Sequence, residues 1–123
     1  MSVLVTVLLP MLLVTAGVAV DGAERARAVR IAHTIAAEVA RAGCEEGSAA
    51  QLVGQDGSGA ARMAAEASAR GTKTDGLSQL VIDVNGDAVS VATEVTRPTR
   101  LLALIGLTEV HGRANEMCTL LAR

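Results

Sequence analysis

Phenylalanine, tyrosine and tryptophan are all missing from this 123-residue chain. Their absence removes base stacking, aromatic cages for cationic ligands and the aromatic belts that often mark a membrane surface. Cysteine and histidine each occur only twice. No Cys-x-x-Cys pair exists, and His33 and His111 stand at no ligand spacing, so a zinc site is not expected. The net charge is −2 with no basic cluster, which gives nucleic acid no surface to bind. The most informative lack is of charge: Ser2 to Val20 (SVLVTVLLPMLLVTAGVAV) contains no ionisable side chain.

Nineteen apolar residues in a helix rise about 28 Å, close to the hydrocarbon thickness of a bilayer. Lipid satisfies no open backbone, so a helix is the form expected there. Residues 1–20 are therefore predicted to be a transmembrane helix, and 21–123 a small α+β domain built largely from alanine, valine and leucine. Pro10 lies mid-segment, where lipid tolerates it as a bend. Ala16 and Gly17 would let a neighbouring helix approach closely.

After Val20 the chain turns polar. Glu24, Arg27, Arg30, Thr34, Glu38 and Arg41 recur every three or four residues, and Ala28, Ile31, Ile35, Val39 and Ala42 follow the same spacing on another face. This predicts a helix over 22–42, continuous with the apolar one and stopped by Gly43. The apolar stripe has two readings: a face buried in the domain's own core, or a contact surface for partner subunits. A loop over 43–58 and an alanine-rich helix over 59–70 follow, with Arg62, Glu66 and Arg70 each four apart.

The period then changes from 3.6 to 2, predicting an antiparallel sheet of about three strands over 78–121. Asn85-Gly86 between β-branched runs is a hairpin signal, and a turn on those two residues pairs Val84 with Asp87, Ile82 with Val89 and Leu80 with Val91. One face then carries Leu80, Ile82, Val84, Asp87, Val89, Val91, Thr93 and Val95; the other carries Val81, Asp83, Ala88, Ser90, Ala92 and Glu94. Thr108–Leu120 is the expected third strand, with Val110, Gly112, Ala114 and Cys118 on one side. Leu101–Leu107 (LLALIGL) is too short to span a bilayer and reads as a buried loop or, alternatively, an exposed apolar contact surface.

The residues offer no chemistry. No serine or threonine sits in a nucleophile context. Glu45-Glu46 reads as solvated surface, and GQDGSG (54–59) lacks the lysine and preceding strand of a phosphate loop. Asp56, Asp75 and Asp87 do not form a calcium loop. No catalytic, cofactor-binding or metal-ligating residue, no cofactor and no small-molecule substrate is assigned. Cys44 and Cys118 are expected to pair as a disulfide if this part of the chain lies outside the cytoplasm; in a reducing compartment they are two small buried residues.

The order of segments resembles the TadE/TadG-like minor pilins (pseudopilins) of the bacterial tight-adherence, or Flp, pilus system. The resemblance rests on Leu8-Leu9-Pro10 inside an apolar helix, Val20-Asp21-Gly22 followed by Ala26-Arg27, two alanine-rich helices, and a β-rich ending marked by Val89, Val91, Val95, Pro98, Gly106, Val110, Gly112 and Ala114. It implies a non-enzymatic, membrane-anchored protein that primes or supports assembly of a cell-surface fibre. Its implied partners are membrane lipid, other pilin-like subunits and the Tad inner-membrane machinery. Two features depart from the family: Leu4 stands where a docking glutamate is usual, and no basic leader with a glycine cleavage point stands before Met1.

Orientation follows from competing terms. Arg25, Arg27 and Arg30 after the apolar segment favour a cytoplasmic head. Asp21 and Glu24 nearest the membrane, the resemblance, and a Cys44–Cys118 bridge favour an extracytoplasmic one, which is the expectation: a single-pass protein of the cell membrane with its C-terminal domain outside. The alternative is a secreted small binding domain whose first 19 or so residues are a signal peptide, cut after Ala16 or Ala19.

Overall fold

A computed structural model describes residues 1–72 and 76–120. The fold is α+β, as the period change implies: α1 (Ser2–Leu52), α2 (Gly57–Gly71), β1 (Leu77–Asn85), β2 (Ala88–Pro98), a 3-10 turn (Leu102–Ile105) and β3 (Glu109–Thr119). The three strands form one antiparallel sheet in the order β1-β2-β3. Leu121, the last residue of the expected sheet, and Asp75 lie outside the described residues.

A 51-residue α1 is about 77 Å long. Its two halves do different things. Among the first 20 residues only Gly17 is buried, and Pro10 sits within the unbroken helix. Beyond Val20 a stripe comprising Asp21, Glu24, Ala28, Ala32, Ile35, Ala36, Val39, Ala40, Gly43, Gly47 and Ala50 is buried. These recur at helical spacing, and that face lies over β2 and β3, with α2 beside it reaching β1.

The expected stop at Gly43 and the loop over 43–58 are corrected by this helix, which runs on to Leu52. Gly43 serves packing rather than termination. A Cβ there would lie 3.1 Å from the Ala61 carbonyl oxygen and 3.3 Å from the Ala65 Cβ; one on Gly47 would lie 2.8 Å from the Gly57 carbonyl oxygen and 2.9 Å from the Ala61 Cβ. Small residues four apart on each helix let α1 and α2 touch almost backbone to backbone. The connection shrinks to a few residues, and α2 begins at Gly57, two residues before the expected start, because the Asp56 side chain caps it by accepting from the Ser58 N–H at 3.1 Å.

The strand residues keep the expected faces but not the expected pairs, and Asp87, expected opposite Val84, lies in the turn. Val84 pairs with Val89, Ile82 with Val91 and Leu80 with Thr93. The two-residue turn is Gly86-Asp87, with Asn85 opposite Ala88. Gly86 has φ +60°, and among the described residues no non-glycine residue has positive φ. A turn centred on Asn85-Gly86 would demand a left-handed asparagine, whereas placing Gly86 first lets one glycine carry the turn, as in type II′ geometry. Moving the turn by one residue shifts each pairing by two, so every strand side chain stays on its face.

The core is thin because its side chains are small. Val39, Val89, Val91 and Val95 are its largest fully buried apolar residues, surrounded by Ala28, Ala32, Ala36, Ala61 and Ala65. Leu77, Leu80, Ile82 and Val84 close one side. On β3, Gly112 and Ala114 are buried facing α1, as the strand pattern predicts.

Candidate functional site

The most distinctive arrangement lies where the bare half of α1 meets the head. Asp21 and Glu24 are one helical turn apart, so both project from the same face of α1, and both are buried. That face meets the β2–β3 connection. The Asp21 carboxylate accepts the backbone N–H of Arg100 at 2.8 Å, of Leu101 at 3.3 Å and of Leu102 at 2.6 Å. It thereby caps the 3-10 turn from another element, meeting donors that lack helical partners. Glu24 accepts from Arg97 Nε at 2.9 Å and from Arg27 at 3.1 Å. The connection is closed on itself by the Thr99 N–H donating to the Thr108 carbonyl at 3.0 Å and by the Thr99 hydroxyl donating to the Leu107 carbonyl.

The N–H of Arg100, chiefly, holds the Asp21 carboxyl below the ordinary aspartate value, with Leu102, Leu101 and the Arg100 charge adding to it against desolvation. Glu24 is likewise lowered, first by its hydrogen bond to Arg97 and then by the charges of Arg97, Arg27 and Arg100, again against desolvation. For lowered carboxyls the stabilisation is full above the ordinary carboxylate range near pH 4 and is lost as pH falls through the native values. Asp21→Asn is expected to loosen the connection at neutral pH, since its NH2 group repels the donors that the carboxylate satisfied. Hydrogen exchange at the Leu102 amide would show this as lost protection, with the acid-dependent part of the wild-type profile reduced. Equal protection in both proteins would mean the carboxylate does not hold the connection.

LLALIGL is exposed, so the reading of 101–107 as a buried loop is corrected. Leu104 is 84% exposed, Ile105 72% and Leu107 56%. The apolar stripe takes the other course. Ala28, Ile35 and Val39 are buried under the domain's own sheet, Ile31 packs against that core, and Ala42 is half-buried. A surface offered to partners would have to lie elsewhere. Gly17, expected to receive a neighbouring helix, is covered by Leu101, whose Cβ lies 3.3 Å from where a Cβ on Gly17 would sit.

Cys44 and Cys118 are joined in a disulfide, with Cα atoms 6.4 Å apart, tying α1 to β3. Asp56 is a helix cap, its carboxyl lowered by the Ser58 hydroxyl and then the Ser58 N–H. Asp87 accepts from Gln51 at 3.2 Å, and Glu45 pairs with Arg41 at 2.7 Å. GQDGSG crosses from the end of α1 into α2 rather than following a strand. His33 lies 2.5 Å from Glu116, and His111 lies 3.2 Å from Glu94, which also pairs with Arg113 at 3.1 Å. Among the described residues no group of three or more His, Cys, Asp or Glu side chains is placed to hold a metal ion. A shallow depression on the sheet, lined by residues including Gln79, Glu94, Arg113 and Asn115, is open to solvent.

The helical period puts Glu24 on the polar face of its helix and leaves Asp21 beside the membrane, with no contact to the β2–β3 connection expected for either. The signal that would have found them is the spacing of three on both sides: Asp21 with Glu24 directly after the apolar run, and Arg97 with Arg100 on either side of Pro98 at the end of β2. No family model, curated protein or solved structure matches the chain.

Proposed function

We propose that this protein is a membrane-anchored, non-catalytic structural or assembly component of a Tad (Flp) type pilus or related secretion apparatus. The observation that carries the anchor is the bare first half of α1. It is long and apolar enough to cross a membrane, Gly17 alone of its first 20 residues is buried, and it is continuous with the helix that packs on the sheet of the head. A helix so clad in valine and leucine needs a cover that the described residues do not supply. The pilus assignment comes from the residue pattern: the Leu8-Leu9-Pro10 helix, the Val20-Asp21-Gly22 boundary and the β-rich ending.

The Cys44–Cys118 disulfide supports an extracytoplasmic head, since such bonds persist in oxidising compartments. The alternative, a secreted binding domain cut after Ala16 or Ala19, is disfavoured by Gly17: cleavage would cut the chain within α1 beside the Leu101 contact. With the Ala28–Ala42 stripe turned inward, partner subunits and the inner-membrane machinery would be engaged mainly through Ser2–Val20. Replacing Leu8 and Leu12 together by asparagine, both exposed, should abolish detergent-resistant co-isolation with pilin subunits while the head keeps its melting temperature. Unchanged co-isolation would count against the apolar helix as the partner surface.

A further inference from the structure

The β2–β3 connection carries seven uncharged residues, Leu101–Leu107, whose apolar side chains point mostly to solvent. It is not a loose loop. The Leu101 and Leu102 N–H groups donate to Asp21, Leu104 to the Leu101 carbonyl, Gly106 to that of Ala103, and Leu107 to that of Leu102. Donors paired internally are what a non-aqueous environment requires of non-helical backbone. The depth of the connection is also fixed. Leu101 rests on Gly17, which lies three residues inside the end of the apolar segment, about 4.5 Å along the helix axis.

From this placement we infer that Leu101–Leu107 is a second membrane contact: an interfacial finger whose Leu104, Ile105 and Leu107 side chains enter the lipid leaflet beside α1, with Arg100 at headgroup level. The inference rests on the anchor proposed above. If Ser2–Val20 spans the bilayer, the finger cannot be far from the hydrocarbon boundary, because Asp21 and the Glu24–Arg97 pair pin it there. Lipid is the occupant favoured over a protein partner because the patch continues the bare apolar surface of α1 and carries no polar side chain between Leu101 and Leu107. Two contacts at one membrane face, a spanning helix and a finger, would also set the tilt of the head on its stalk.

The lack of aromatic residues makes the test clean, because one introduced tryptophan is the only indole in the protein. Full-length Leu104→Trp, Leu12→Trp and Met63→Trp variants would be reconstituted in phosphatidylcholine–phosphatidylglycerol vesicles; Met63 is 72% exposed on α2. The expected result is blue-shifted emission and strong quenching by brominated lipid at positions 12 and 104, and water-like emission quenched by acrylamide at 63. Quenching at 12 but not at 104 would overturn the finger and leave the anchor standing. No quenching at 12 would overturn both. Blue-shifted emission at 104 that appears only as protein density rises, without lipid quenching, would overturn the lipid assignment in favour of a second copy of the chain.

Discussion

Gly112→Ala should cost the head about 3 kcal/mol or more, the upper end of what overpacking a close contact does, and lower its Tm by more than about 10 °C. β3 crosses α1 at Gly112 with almost no space between the backbones. A Cβ there would stand 2.2 Å from the Val29 nitrogen, 2.3 Å from the Ala28 carbonyl carbon and 2.7 Å from its oxygen. Those atoms belong to the middle of a long helix and cannot swing aside as a side-chain tip would. To admit one methyl group, β3 must lift from α1, opening the contacts of Ala28, Ala114 and Val95 together. Gly22→Ala is the matched control: nothing lies within 4 Å of its Cβ, and in a helix alanine is favoured over glycine by about 1 kcal/mol. Thermal melts of the two variants should move in opposite directions. A Gly112→Ala protein melting within a few degrees of wild type would show that the crossing is looser than described.

Loss of the Cys44–Cys118 bridge should be at least as damaging. The cysteines are 74 residues apart in sequence, and on the chain-entropy account closing a loop of that size stabilises by about 4 kcal/mol. A core made of valine and alanine has little reserve, since small side chains bury little area each. Reductant should therefore lower the Tm by about 15 °C or more, and a Cys44→Ser/Cys118→Ser protein should melt low whether or not reductant is present. Identical melts with and without reductant, or two free thiols in the mass of the isolated protein, would contradict the bridge.

How much of this the sequence disclosed depends on how local each cause is. The apolar run, the period change and the two faces of the hairpin are written in consecutive residues, and they were legible. The register was not, because choosing between Asn85-Gly86 and Gly86-Asp87 turns on which residue must take positive φ. Gly43 misled for a related reason: glycine ends helices by its backbone freedom, but here it is used for its missing side chain against Ala61 and Ala65, a partner 18 or more residues away. The Asp21 and Glu24 clamp was hidden because its other half lies some 80 residues later. The exposure of Leu101–Leu107 could not be read at all from composition, since a seven-residue apolar run suits a core as well as a lipid surface.

The most direct measurement is the intact mass of the native protein together with its behaviour on alkaline carbonate extraction. A helix that crosses the bilayer keeps the protein in the carbonate-resistant pellet with Ser2–Val20 still attached. A carbonate-soluble protein whose mass lacks the residues up to Ala16 or Ala19 would contradict the anchor and everything placed at its membrane face.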